Sequence, residues 1–160
     1  MKAISLKKKY ICEKNEGQNI SPHLIITNVP KNTKSMLLIV EDPDAKAVVG
    51  KTFIHLIAQL DANVRNLPEG SFNAKQHKQV KELFKNDSKN KEYHGPCPPQ
   101  GPVHHYIFSL IALDKGFELD DKVSPDYFRD TWSKNSKFYN EWKNNIIGEP
   151  AMLKGKYQEK

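Results

Sequence analysis

The residues most able to do chemistry fall in one stretch, Tyr93-His94-Gly95-Pro96-Cys97-Pro98-Pro99-Gln100-Gly101-Pro102-Val103-His104-His105-Tyr106. Four prolines and two glycines lie between Gly95 and Pro102, which excludes a helix interior or a central strand. The segment reads as a stiff, ordered loop. Such a loop holds its backbone N–H groups at fixed angles, where they can face an anion at little ordering cost. It runs straight into an apolar stretch, residues 103–113, that reads as a buried strand. Residues two apart on a strand share a face, so His104 and Tyr106 point one way and His105 the other. A rigid loop that delivers these side chains onto a strand is a common way to place a binding site on a scaffold.

Other elements must position that loop. Residues 36–40 are apolar on both faces and predict a central strand. Asp42-Pro43-Asp44-Ala45 punctuates its end, and Phe53-Ile54-His55 opens a further strand over 53–60. Taken alone, Asp42-Pro43-Asp44 is turn chemistry, and His55 fits a satisfied core histidine. Shorter strands are expected at 10–12 and 24–27, with turns at 29–33 and 63–73. Residues 74–91 carry six lysines and predict an exposed flexible loop, or one short helix around 79–84. Ser124-Pro125-Asp126 is a helix start: a capping Ser, a Pro at the first helical position and an acid in the first turn. Phe128, Trp132, Tyr139, Trp142 and Ile146 follow at helical spacing, predicting one helix or two short ones packed on the body. Gly148-Glu149-Pro150 ends that pattern, and 151–157 is a last short segment. Short strands with Pro and Gly turns, then helix, predict a mainly β fold with minor α content, in a single domain over residues 1–160.

Composition narrows the function classes. The chain has 160 residues, 38% of them hydrophobic, enough for a core. Its net charge is +6, yet the lysines are spread along the chain and no nucleic-acid-binding motif is present, so nucleic acid is not the expected partner. No apolar run is long enough to be a transmembrane segment. The first residues lack the apolar core of a signal peptide, and two cysteines, Cys12 and Cys97, are too few for a disulfide framework. Free thiols, with Cys97 serving packing, and a cytoplasmic location are therefore expected.

Several motifs occur in a fixed order: Asn19-Ile20-Ser21-Pro22-His23-Leu24, Asp42-Pro43-Asp44-Ala45, Phe53-Ile54-His55, Gly95-Pro96-Cys97-Pro98-Pro99-Gln100-Gly101, His104-His105-Tyr106-Ile107-Phe108, Ala112-Leu113-Asp114 and Gly155-Lys156-Tyr157. Together they resemble the phosphatidylethanolamine-binding protein (PEBP) family, which includes the Raf-kinase inhibitor proteins, and most of all its bacterial and archaeal branch. The resemblance implies a two-sheet antiparallel sandwich with a Greek-key connection and a C-terminal helical segment. It implies a pocket formed by Asp42, His55, Gly95, Pro96, His104 and Tyr106, with Asp44, Lys46, Phe53 and Cys97 on the rim. Two imidazoles, a phenol and backbone amides are hydrogen-bond donors suited to a phosphate oxyanion. Asp42 is the odd member, since a carboxylate repels a dianion. It would either orient and charge a histidine or accept a hydrogen bond from a protonated phosphate, favouring singly charged esters.

The chain departs from the family pattern in places. Lys46 stands where a Pro usually follows Asp-Pro-Asp-Ala, and Leu56 where bacterial members often carry Trp. A looser, more basic rim is implied, with Lys46 within reach of an anion. The function implied is a small binding protein for a phosphate-ester or phospholipid head group, regulating a kinase or protease by contact and using no cofactor. The alternative is an enzyme, an acid–base or metal-dependent hydrolase using the same Asp/His pocket. Against it stand the lack of a Gly-x-Ser-x-Gly elbow and of any diagnostic metal-ligand spacing among Asp42, Asp44, His55, His104 and Cys97.

Overall fold

The strands with no polar face lie where water cannot reach them. In the computed structural model, which describes residues 2–118 and 123–160, the strand Ser35–Asp42 (β3) is buried along nearly its whole length. It is flanked by Phe53–Leu60 (β4) and His104–Leu113 (β7), both antiparallel to it. Val80–Phe84 (β6) extends the sheet beyond β4, and Ala151–Tyr157 (β8) beyond β7. The two-residue strand Ile4–Ser5 (β1) closes the β8 edge in a parallel pairing. The order is β1-β8-β7-β3-β4-β6. Three consecutive antiparallel strands, β3, β4 and β6, are followed by β7 returning beside β3, which is a Greek key. A second sheet is minimal: Leu24–Ile25 (β2) against Asn66–Leu67 (β5).

Side-chain alternation sends each strand's residues into two cores. Met36, Leu38, Val40, Leu56, Ala58, Tyr106 and Phe108 face the small sheet. Leu37, Ile39, Ile54, Ile57 and Ile111 face a cover made by Phe117, Phe128, Phe138 and Trp142. That cover is the expected helical segment in reduced form. Ser124 caps a single 3-10 turn, Pro125–Tyr127, through the Asp126 N–H. Among the described residues of this segment, α-helix is confined to Lys137–Trp142, here α2; elsewhere α1 is the single turn Lys46–Val49. The aromatic spacing over 128–142 thus reflects packing, with Phe128 and Trp132 held in turns and Phe138, not Tyr139, buried to the root.

Three expectations need correction. Residues 8–10 form a 3-10 turn, not part of a strand, because the chain there wraps the proline-rich loop instead of a sheet edge. The lysine-rich segment contains β6, in which Val80, Leu83 and Phe84 are buried while Lys81 and Glu82 face solvent, as fits an edge strand. Cys12 and Cys97 are not free thiols: they form a disulfide, with Cα atoms 5.4 Å apart.

Candidate functional site

The site lies where β3 ends and β7 begins, on the face turned toward the small sheet. Asp42 closes β3 and caps the turn Pro43–Ala45, its Oδ1 accepting from the Ala45 N–H at 3.1 Å. Its Oδ2 accepts from Nδ1 of His104 at 2.7 Å, and both side chains are about 5% exposed. Burial holds the Asp42 carboxyl above its ordinary range, against the lowering effect of the hydrogen bond from His104. Asp44 points away from this pair. It accepts from the backbone N–H and Nδ1 of His105 at 2.7 and 2.8 Å, so it braces the β3 turn against β7. His104 and Tyr106 share a face and His105 takes the other, as alternation requires.

His55 arrives by a local irregularity. Along β3, Val40 pairs with Leu56 but Glu41 pairs with Ile54, while the β3–β7 ladder runs on without a break. The extra residue therefore belongs to β4, and it is His55. A bulge of this kind bends a strand and re-aims a side chain. Leu56 and Ile54, two apart, end on opposite faces of the sheet, in different cores. The backbone carbonyl of His55, freed from the ladder, accepts instead from the His94 N–H at 3.1 Å and from Nδ2 of Asn86 at 3.1 Å.

The His55 ring is fixed just as firmly. Its Nδ1 lies 2.6 Å from the carbonyl oxygen of His94. A carbonyl can only accept, so Nδ1 carries the proton and Nε2 holds a lone pair. Burial pushes the imidazole down to about 3, so it stays neutral near neutrality. The expectation of two donating imidazoles is thereby revised: His55 presents an acceptor. The Tyr106 ring meets His55 edge-on, with centroids 5.3 Å apart. Its hydroxyl is buried without a hydrogen-bond partner among the described residues. Burial pushes that phenol up, and the charge of Asp42 adds to the effect.

Above these groups opens a cavity of about 540 Å³ lined by Asp42, Phe53, His55 and His104, within the usual range for a ligand site. Tyr106 lies behind its floor. Cys97 is on the wall, joined to Cys12, and Pro98 and Pro99 stand beside it. Gly95 and Pro96 play a different part from lining. Gly95 is buried against the N-terminal segment, where a Cβ would stand 2.3 Å from the Tyr10 carbonyl oxygen. The Pro96 carbonyl accepts from the Cys12 N–H at 3.0 Å. Lys46 does not reach the cavity; its ammonium lies 3.8 Å from Asp130.

Three contributors had no role assigned from sequence. His94 lines the cavity, its ring stacked on His55 with centroids 5.7 Å apart. Its position just ahead of the proline-rich loop is the only signal. Asn19 clamps that loop, donating to the Tyr93 carbonyl and accepting from the Gly95 N–H at 2.7 Å. It stood inside a recognised motif, which offered a signal. Arg129 grips Asp87 through two hydrogen bonds of 2.6 and 2.9 Å, and Asp87 accepts from the Ile54 N–H, anchoring β4 beside His55. No spacing pattern links those residues.

Comparisons with known proteins bear on the family and the fold. A family model described as phosphatidylethanolamine-binding protein matches residues 2–147. A UPF0098 protein of Chlamydia pneumoniae is 33% identical over 96% of this chain and 91% of its own length. UPF0098 proteins of Pyrococcus horikoshii and Pyrococcus abyssi are 41% and 40% identical over 72% and 69% of this chain. The match spans 57% and 61% of their own lengths. Among solved structures, a putative PEBP homolog of Chlamydia trachomatis superposes with a TM-score of 0.75 at 31% identity, covering 99% of this chain and 92% of its own. Escherichia coli YbcL, described as a new member of the mammalian PEBP family, gives 0.79 at 27% identity, covering 98% and 92%. The chain belongs to the phosphatidylethanolamine-binding protein family.

Proposed function

We propose that the cavity binds the head group of a singly charged phosphate ester. One observation carries the reading: an acceptor nitrogen, His55 Nε2, shares the cavity with the Asp42–His104 pair. A phosphate monoanion matches both halves of that set. Its P–OH donates to His55, and its ionised oxygens accept from the His104 ring, which Asp42 holds through Nδ1. A dianion has no proton to give His55 and brings a second negative charge up to the Asp42 carboxylate.

Regulation of a kinase or protease by contact at the cavity mouth is the second element of the proposal; it predicts that partner binding is altered when the mouth is altered. The same two histidines, each fixed through Nδ1, also suit acid–base chemistry on a bound ester, and turnover of a phosphodiester would move the protein into the enzyme class. A cytoplasmic location rested in part on free thiols. With Cys12 and Cys97 joined, thiol trapping in cells decides the compartment.

The test is a calorimetric titration with phosphate, phosphorylethanolamine and phosphotyrosine on wild type and His104→Ala. Loss of one charge-assisted contact should weaken binding by roughly tenfold to a hundredfold. Affinity should fall as pH rises through the second ionisation of the ester, at about pH 6. A steady rise over that range sinks the monoanion reading.

A further inference from the structure

The open edge of the main sheet carries backbone groups and charge that the ligand reading does not use. β6 stands last in the strand order and pairs with β4 on one side only. In an antiparallel strand, alternate residues turn their N–H and C=O groups away from the partner. Among the described residues, no backbone group of residues 81–85 finds a bond outside the β4 pairing. Lys81 has no partner even within it, because the register shifts there. β6 and the turns on either side of it carry Lys75, Lys78, Lys81, Lys85, Lys89 and Lys91, all exposed. The ion pairs among the described residues engage other cations and none of these amines. A groove of about 470 Å³ opens beside the strand, lined in part by Lys81, Glu82, Leu83, Lys91 and Glu92.

We infer that this edge receives an extended acidic segment of a partner protein, which joins the sheet as a further strand. The open N–H and C=O groups supply affinity, the lysines select the sign of the segment, and the groove gives its side chains room. Lysines on an edge strand ordinarily keep other strands away. Here they decide which strands are refused. A second copy of the chain would bring the same lysines to β6, or Lys2 and Lys7 beside β1 at the other edge of the sheet, and like charges facing each other repel. A segment rich in Glu or Asp meets the opposite sign. Glu82 and Glu92 oppose it, but the lysines outnumber them, and Asp87 is already held by Arg129. Nucleic acid fits less well. Its phosphates would satisfy the amines, yet a phosphodiester has no proton to donate to the open carbonyls. None of these residues lines the ligand cavity, so the surface does not depend on which ester the cavity holds.

The experiment is an NMR titration of the isotope-labelled protein with a capped peptide of alternating Glu and Thr, long enough to span β6. Amide shifts should concentrate in residues 80–85, and affinity should fall as salt rises. The fully N-methylated peptide keeps the charge and loses every backbone donor, so it should bind at least about tenfold more weakly. Lys81→Glu/Lys85→Glu should weaken the acidic peptide by roughly tenfold and gain affinity for a peptide of alternating Lys and Thr. Both lysines are exposed, so the variant should keep the wild-type melting temperature. No shifts in wild type, shifts that fall away from β6, equal binding of the N-methylated peptide, or equal binding of the acidic peptide by the variant overturns the assignment. So does an oligothymidylate that shifts the β6 amides when the acidic peptide does not, which would give the patch to nucleic acid.

Discussion

Replacing His55 with Asn should flatten the acid side of this protein's stability curve. Burial holds the folded imidazole down at about 3, whereas the unfolded one titrates near its ordinary value of 6.5. Between those values the unfolded chain takes up a proton that the folded chain refuses. The stability His55 contributes is therefore complete above about pH 6.5 and drains as pH falls toward 3, by about 1.4 kcal/mol per pH unit. From about pH 7 to about pH 5 the loss comes to about 2 kcal/mol, or a fall of roughly 4–8 °C in Tm for a chain this size. His94, also pushed down by burial, acts in the same direction, and Asp42, pushed up by burial, acts in the opposite one. Both remain in the variant. His55→Asn is less stable throughout, because it loses the bond to the His94 carbonyl, but its slope between pH 7 and 5 should be shallower by about 1 kcal/mol per unit. Urea midpoints across that range measure the slope directly. Parallel curves for the two proteins would refute the claim that a neutral, sealed imidazole forms the cavity floor.

Other outcomes follow from the same geometry. Tyr106→Phe removes a buried hydroxyl with no partner from behind the floor, so Tm should hold or rise and affinity for a phosphate ester should stay within about twofold; a clear fall in Tm would show the hydroxyl is structural. Reducing the Cys12–Cys97 bond releases a closure between residues 85 apart, which chain entropy values at about 4–5 kcal/mol; unchanged urea midpoints after verified reduction would contradict that. Arg129→Ala strands the carboxylate of Asp87, whose side chain is only 5% exposed, and should cost about 3–5 kcal/mol by thermal unfolding. A loss under about 1 kcal/mol would mean that Lys51 takes over the charge.

The sheet was readable where sequence and burial speak the same language. Runs such as 36–40 are apolar on both faces because both faces are buried, and the spacing of His104 and Tyr106 gave their shared direction. β6 was hidden for the opposite reason. An edge strand needs few apolar residues, and Lys81, left out of the β4–β6 pairing, breaks the alternation that would have marked it. The disulfide was invisible because it depends on a fold contact between residues 85 apart, not on spacing. His55 was found, but its acceptor role was not. That role follows from which backbone carbonyl faces Nδ1, and β4, apolar on both faces apart from His55 and Gln59, gives no hint of register.

The skipped position in β4 bears on how the imidazole joins the sheet. The ladder between β3 and β7 does not notice His55, and Val40 and Glu41 take partners that would be consecutive if His55 were absent. A chain lacking that one residue would zip β4 to β3 without a gap and bury the same two cores. A single-residue deletion there would remove the imidazole and leave the ladder intact. The imidazole is thus an addition to a sheet whose pairing is complete without it.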